Sequence, residues 1–118
     1  MNALRLTMMA AMILAAQACK TPERTAYDIV ASTQVAVDAA MNGWGDYVRA
    51  GLATAKDESE VRGAYHTYQQ SMRAAREAVI AYKTGVQADK SKLDIALDML
   101  QAAGQSVIGI ISEIKTKP

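Results

Sequence analysis

The sequence predicts an all-α protein: an up-down-up antiparallel three-helix bundle that follows a cleaved N-terminal leader. Three observations lead there. Apolar residues recur at alternating steps of three and four through three successive stretches, a spacing that draws a continuous seam along a helix. The breaks between the stretches are short, hold glycine and capping residues, and have the length that joins antiparallel neighbours. The composition is 51 % hydrophobic, with no Phe and only two Pro, and its many alanines suit helices packed closely through small side chains. At 118 residues the chain holds one domain at most.

Residues 1–18 form the leader. Arg5 and the amino terminus give a short positive region, Leu6–Ala16 is apolar and free of charge, and Ala16-Gln17-Ala18 is a small-x-small cleavage pattern. The run is too short to cross ~30 Å of hydrocarbon as a helix. Its apolar residues lie on every side, unlike the amphipathic stretches that follow, so it reads as a signal peptide rather than an extension of the first helix. Cys19 follows Ala18 directly and is the only cysteine. An internal disulfide and a cysteine-based metal site are therefore both excluded. Two fates remain for it. One is lipidation, which would remove the liability of a free thiol in an oxidising compartment. The other is ordinary cleavage that leaves an unmodified terminal cysteine.

The domain proper, residues 19–118, begins at Thr21-Pro22-Glu23. Thr21 can cap, Pro22 suits the first helical position, and Glu23 favours the positive end of the helix dipole. The first helix is predicted over about 22–50, with the seam Tyr27, Val30, Gln34, Val37, Met41, Trp44 and Val48. Gln34 is its one polar member and reads as a register-setting residue. Gly43 and Gly45 flank Trp44, as if the bulky indole needed bare neighbours for another helix to approach. Gly51 is the expected stop.

The second helix is predicted over about 57–84. Asp57 is expected to cap it, with Glu60 completing a capping box. Its seam runs Val61, Tyr65, Tyr68, Met72, Ala75, Val79, Tyr82 and Val86, and this central helix is expected to organise the bundle. Gly85 and the residues after it make the next break. The third helix is predicted over about 92–115, started by Ser91, with the seam Leu93, Leu97, Leu100, Gly104, Val107, Ile111 and Ile114. Gly104 falls where a large side chain would be expected, which points to two backbones approaching closely there. A two-helix hairpin whose third helix completes its core only in a homo-oligomer fits the same heptads.

No catalytic motif is present: no phosphate-binding Gly-rich loop, no HExxH, no nucleophile elbow and no CxxC. His66 lies off the seam without a second His to share a metal. Asp94 and Asp98 sit four apart on one helix face, the pattern of a solvated surface. No cofactor is implied. Arg5 is the only charged side chain in residues 1–18, so the rest of the chain holds 12 basic and 12 acidic residues. That balance, with both signs interspersed, argues against nucleic acid as a partner.

The residues around Cys19 resemble a bacterial lipoprotein lipobox, whose cysteine is lipidated and becomes the mature terminus. Ala18 fits. Ala16 stands where that motif usually has Leu, and Gln17 where it usually has a small residue. In such lipoproteins a residue other than Asp after the cysteine, here Lys20, is compatible with the outer membrane. More broadly, ACKTPERTAYDIVASTQVAVDAAMNGWGDYV followed by AYHTYQQSM resembles a group of small bacterial and phage-encoded lipoproteins of unknown function. The matching positions are Ala26-Tyr27, Trp44 or Tyr47, Ala64-Tyr65 and Tyr68-Gln69, with Tyr68 in place of the usual Phe. The resemblance implies an address and a helical fold, and lends no activity.

The expected function is a non-enzymatic cell-envelope lipoprotein with an interaction or structural role. It would be attached to a membrane through lipid on Cys19 and would meet an unknown protein partner. The alternative is a secreted or periplasmic helical module that holds a small apolar ligand around Trp44, Tyr65 and Tyr68. A closed bundle interior favours the first, and a roomy internal pocket the second.

Overall fold

In the computed structural model, which describes residues 21–86 and 89–117, the chain forms three helices. They are α1 (Pro22–Arg49), α2 (Ala55–Lys83) and α3 (Lys90–Thr116). Helix accounts for 88 % of the described residues, with no strand among them. The up-down-up order shows in the cross-helix pairs. Arg76 meets Gln34 and Lys83 meets Tyr27, so α2 runs against α1. The backbone of Gly104 meets the side chains of Thr33 and Val37, and Lys115 reaches Gly43, so α3 runs parallel to α1.

Each helix end has a chemical cause. At the start of α1 the Arg24 amide donates to the Thr21 hydroxyl at 3.2 Å, and Pro22 occupies the first turn, where its missing N–H costs nothing. The helix stops at Gly51, whose φ of +76° is open to glycine without strain. There the Gly51 amide donates to the Val48 carbonyl at 2.9 Å and the Leu52 amide to Tyr47 at 3.3 Å. This pair of bonds satisfies carbonyls that the helix end leaves open.

The start of α2 differs from the expectation. The cap is Thr54, not Asp57, and the helix begins two residues earlier. The Asp57 amide donates to the Thr54 hydroxyl at 3.0 Å, while the Asp57 carboxylate accepts from the Thr54 amide at 3.1 Å. Asp57 therefore closes the box as its third helical residue rather than opening it. A Thr hydroxyl three residues ahead of an acid offers the helix two bonds; Asp57 as the cap would have left Thr54 idle.

The Thr54 backbone bond, opposed by desolvation and then aided by the Thr54 hydroxyl and the Lys117 and Lys56 charges, holds the Asp57 carboxyl below its ordinary value. A carboxylate lowered on folding stabilises the fold above its unfolded pKa of ~3.9 and ceases to do so as pH falls through the folded value. Asp57→Ala should therefore melt below wild type at pH 7, with the gap closing as pH falls below about 4. Thermal melts across that range check it, and a gap that stays constant with pH would refute the capping role.

The third helix is capped by Asp89 rather than Ser91 and starts at Lys90. The Asp89 carboxylate accepts from the Ser91 amide at 2.9 Å and from its hydroxyl at 2.6 Å. These bonds, hydroxyl first, lower the Asp89 carboxyl as well.

The helices do not share the core equally. Eight buried residues come from α3, five from α2 and three from α1. The centre of the bundle is thus α3, not the middle helix of the chain. It packs against both others, and the α1–α2 contact is the smallest of the three. All seven residues of the predicted α3 seam are buried. On α2 the seam holds from Val61 to Tyr82, but Val86 lies beyond the helix end and is 83 % exposed.

On α1 the seam is displaced: Ala26 is fully buried, and Tyr27 beside it is 47 % exposed. The small side chain wins because it lets the helices close up, while the phenol can reach the surface and keep its hydroxyl wet. Gly43 and Gly45 are not sites of close helix approach. A Cβ at Gly43 would meet only the Lys115 ammonium, at 3.1 Å, and one at Gly45 only the Arg49 guanidinium of its own helix, from 3.4 Å.

Candidate functional site

Because α1 and α2 touch least, a groove runs between them along the side away from α3. One wall carries Tyr27, Val30, Gln34, Asp38, Met41 and Val48, the other Arg62, Tyr65, Gln69, Arg73, Arg76 and Ile80. Both walls follow heptad spacing. The apolar residues predicted for the α1 seam are therefore divided: Val37 and Trp44 are buried in the core, Val30, Met41 and Val48 pack against it at the edge of this groove, and Tyr27 is exposed. Its middle section has a volume of about 380 Å³ and is open to solvent.

The three aromatic residues singled out in the sequence lie along this groove but do not enclose a common cavity. Trp44 and Tyr65 line its section near the α1–α2 connection, and Tyr65 and Tyr68 line its middle. Trp44 is buried and stacks on Tyr47, with ring centroids 5.6 Å apart. Tyr65 is half-buried and tilts against buried Tyr68 at 5.8 Å. Their first role is packing.

The charged residues of the groove are what the sequence pattern did not single out. Asp38, Arg73, Arg76 and Glu77 line its middle. The Arg76 guanidinium donates to the Gln34 side-chain oxygen at 3.2 Å. That bond gives the one polar member of the α1 seam a partner across the groove, and a partner 42 residues away is not visible in a local pattern.

Burial, then the charge on Asp38, raises the Tyr68 phenol above its ordinary value, with Arg76 acting in the opposite sense. A phenol shifted this way stays protonated at neutral pH and is a hydrogen-bond donor, not a base. His66 is exposed, with its Nε2 3.3 Å from Gln70 Nε2. Asp94 and Asp98 are exposed as well. Among the described residues no three His, Cys, Asp or Glu side chains gather around a shared point. No buried side-chain nitrogen or oxygen there lacks a partner, and the core contains no buried polar residue.

The leader, its cleavage pattern and Cys19 lie outside the described residues. α3 is long and apolar enough to cross a membrane by length and composition; in the bundle eight of its residues are buried instead. No protein-family model, curated protein or solved structure matches the chain.

Proposed function

We propose that the chain is a non-enzymatic cell-envelope lipoprotein, exported and held at a membrane by lipid on Cys19, whose bundle surface meets a protein of the same envelope. The observation that carries this reading is the placement of Cys19. It ends a charge-free apolar run and is separated only by Lys20 from the cap of a helical domain. The resemblance to small bacterial and phage-encoded lipoproteins points the same way.

The closed apolar core supports a structural or interaction role over a catalytic one, since acid–base or nucleophilic chemistry needs polar groups that converge. The alternative, a small apolar ligand between the helices, has less support. The space beside Tyr65 and Tyr68 is an open groove whose lining includes Asp38, Arg73, Arg76 and Glu77, whereas apolar ligand pockets are mostly enclosed and apolar.

Cys19→Ser tests the anchor. The variant should move from the membrane fraction to the soluble one, or keep its leader uncleaved, with its thermal melt unchanged. Each buried CH2 of an acyl chain adds ~0.8 kcal/mol of membrane affinity, so two or more chains hold the wild type firmly. Detergent partition with mass spectrometry of the N-terminus reads the result. An unmodified Cys19 on a protein that stays in the aqueous phase would leave plain secretion, and an intact Met1 in the cytosol would remove export altogether.

A further inference from the structure

α3 is the most apolar of the three helices. One long stretch of it has a mean hydropathy of 1.3, yet only 33 % of that stretch is buried in the bundle. A helix of this composition is ordinarily covered on more than one side. The uncovered part is the flank of α3 beside α2. There Ala103, Ser106 and Ile110 line a shallow groove with Gly63, Ala64 and Thr67 of α2. Ile95, Met99 and Ala102 continue the same α3 flank at steps of three, four and seven, and Ala74 and Ala78 continue that of α2. Ile95 and Met99 are exposed.

Charge is confined to the ends of this face. The rows of α3 that form it begin at Lys92 and end at Glu113. Those of α2 begin at Glu60, which is level with the Glu113 end because the two helices run antiparallel. Lys56 and Lys117 stand one turn beyond these glutamates. Arg62, Arg73, Arg76 and Glu77 lie on the other side of α2, in the α1–α2 groove. Asp94 and Asp98 share the row of Gln101 and Gln105, on the α1 side of α3. From Ile95 to Ile110 the uncharged face runs about 23 Å at 1.5 Å per residue and is two helices wide, roughly 450–500 Å². An exposed apolar surface of this size marks a contact.

We propose that this face pairs with the same face of a second copy, with the two α3 helices antiparallel across a two-fold axis at Ala102–Ala103. Shape and charge both select this arrangement. In that register Met99 of one copy lies over Ser106 of the other. The groove beside Ser106 has a volume of about 290 Å³ and small side chains in its walls, and a flexible thioether is suited to fill it. Each copy supplies one Met99 and one groove, so both grooves are filled. Lys92 of each copy falls opposite Glu113 of the other. A two-fold running along the helices would instead set Met99 on Met99, leave both grooves empty and bring Glu60 and Glu113 of both copies to one end. A bilayer fits less well, because surfaces that settle among headgroups carry a basic polar border, and acids stand in this one. The two faces together cover about 1,000 Å², the lower limit of a specific interface. The pair is therefore reversible, and each bundle keeps its own core. The pairing does not rest on lipidation of Cys19.

Disulfide trapping in cells that express the full-length chain tests the pairing and its direction. Cysteines whose Cα atoms are more than ~7 Å apart do not bridge, and seven helical residues span about 10–11 Å. After copper–phenanthroline oxidation, Ala102→Cys should form a dimer by itself. Met99→Cys and Ser106→Cys should each stay monomeric alone and cross-link when expressed together. Unmutated protein and Val35→Cys, exposed on α1, set the background, including any bridge through Cys19. Lys92→Glu and Glu113→Lys each suit their own helix end, an acid in the first turn and a base in the last, so neither should lower the melt. Each should cut the Ala102→Cys dimer several-fold, and the two combined should restore it. Dimers from Met99→Cys alone and Ser106→Cys alone would overturn the antiparallel register. An Ala102→Cys yield no higher than that of Val35→Cys would overturn the pairing itself and leave a bilayer or a different protein to cover the face.

Discussion

Leu100→Asp is expected to abolish folding of the bundle, and Met99→Asp, one residue away, to leave it folded. Leu100 has no exposed surface and lies mid-way along α3, the helix that both others pack against. The substitution removes a large apolar side chain from the core, at about 2–5 kcal/mol for truncation alone. It also buries a carboxylate where the core contains no polar residue to receive it, at a further cost of several kcal/mol. Together these are comparable with the ~5–15 kcal/mol that holds a domain of this size together. Met99 is 62 % exposed, so Asp there costs only helix propensity, on the order of 0.5 kcal/mol. Circular dichroism and thermal melts of the two variants give the result. Similar melts would mean that α3 does not present the face assigned to it. Met72→Asp should fall between them, because Met72 also lines the groove beside Arg73 and Arg76, where a carboxylate can turn toward a cation.

The contrast between α1 and α3 shows what was legible in the sequence. On α3, large aliphatic residues stand at heptad spacing and most of the residues between them are polar or small, so one face is marked and all seven seam positions are buried. On α1, Ala26 and Tyr27 compete for the same position, and Val30, Val37, Met41 and Val48 spread the apolar character over a wider arc than one neighbour covers. Periodicity identifies such a helix but not which edge of its stripe goes inward; the depth of the α1–α3 contact decides that. The caps failed for a related reason. Thr54 and Asp57, and Asp89 and Ser91, each offer two side chains that can bond an open amide. Sequence spacing marks the cluster, and backbone geometry selects the member. The groove was legible only in part. Its aromatic residues stood out, but its charges became neighbours through the α1–α2 pairing, as Gln34 and Arg76 show.

Gly104 is the position where glycine is required by space, and Gly104→Val is expected to lower stability by about 1–3 kcal/mol, the usual cost of overpacking a close contact. A Cβ there would lie 2.8 Å from Thr33 Cγ2 and 3.3 Å from Val37 Cγ2. The first distance is shorter than carbon atoms tolerate, and the second involves a fully buried side chain with no free direction to move. Thr33 must turn aside or α1 and α3 must separate to admit even one methyl group, and valine adds two more. Helix propensity works the other way, since replacing a mid-helix glycine gains up to ~1 kcal/mol. Gly63→Ala isolates that gain, because nothing lies within 4 Å of its added Cβ. At roughly 4–8 °C per kcal/mol for a domain of this size, Gly63→Ala should melt several degrees above wild type and Gly104→Val well below it. Thr33→Ala removes the nearest methyl group and should restore part of the loss in the Gly104→Val background, a coupling that two independent sites would not show. If Gly104→Val melts at or above wild type, or if Thr33→Ala merely adds its own cost, the close approach of α1 to α3 is refuted.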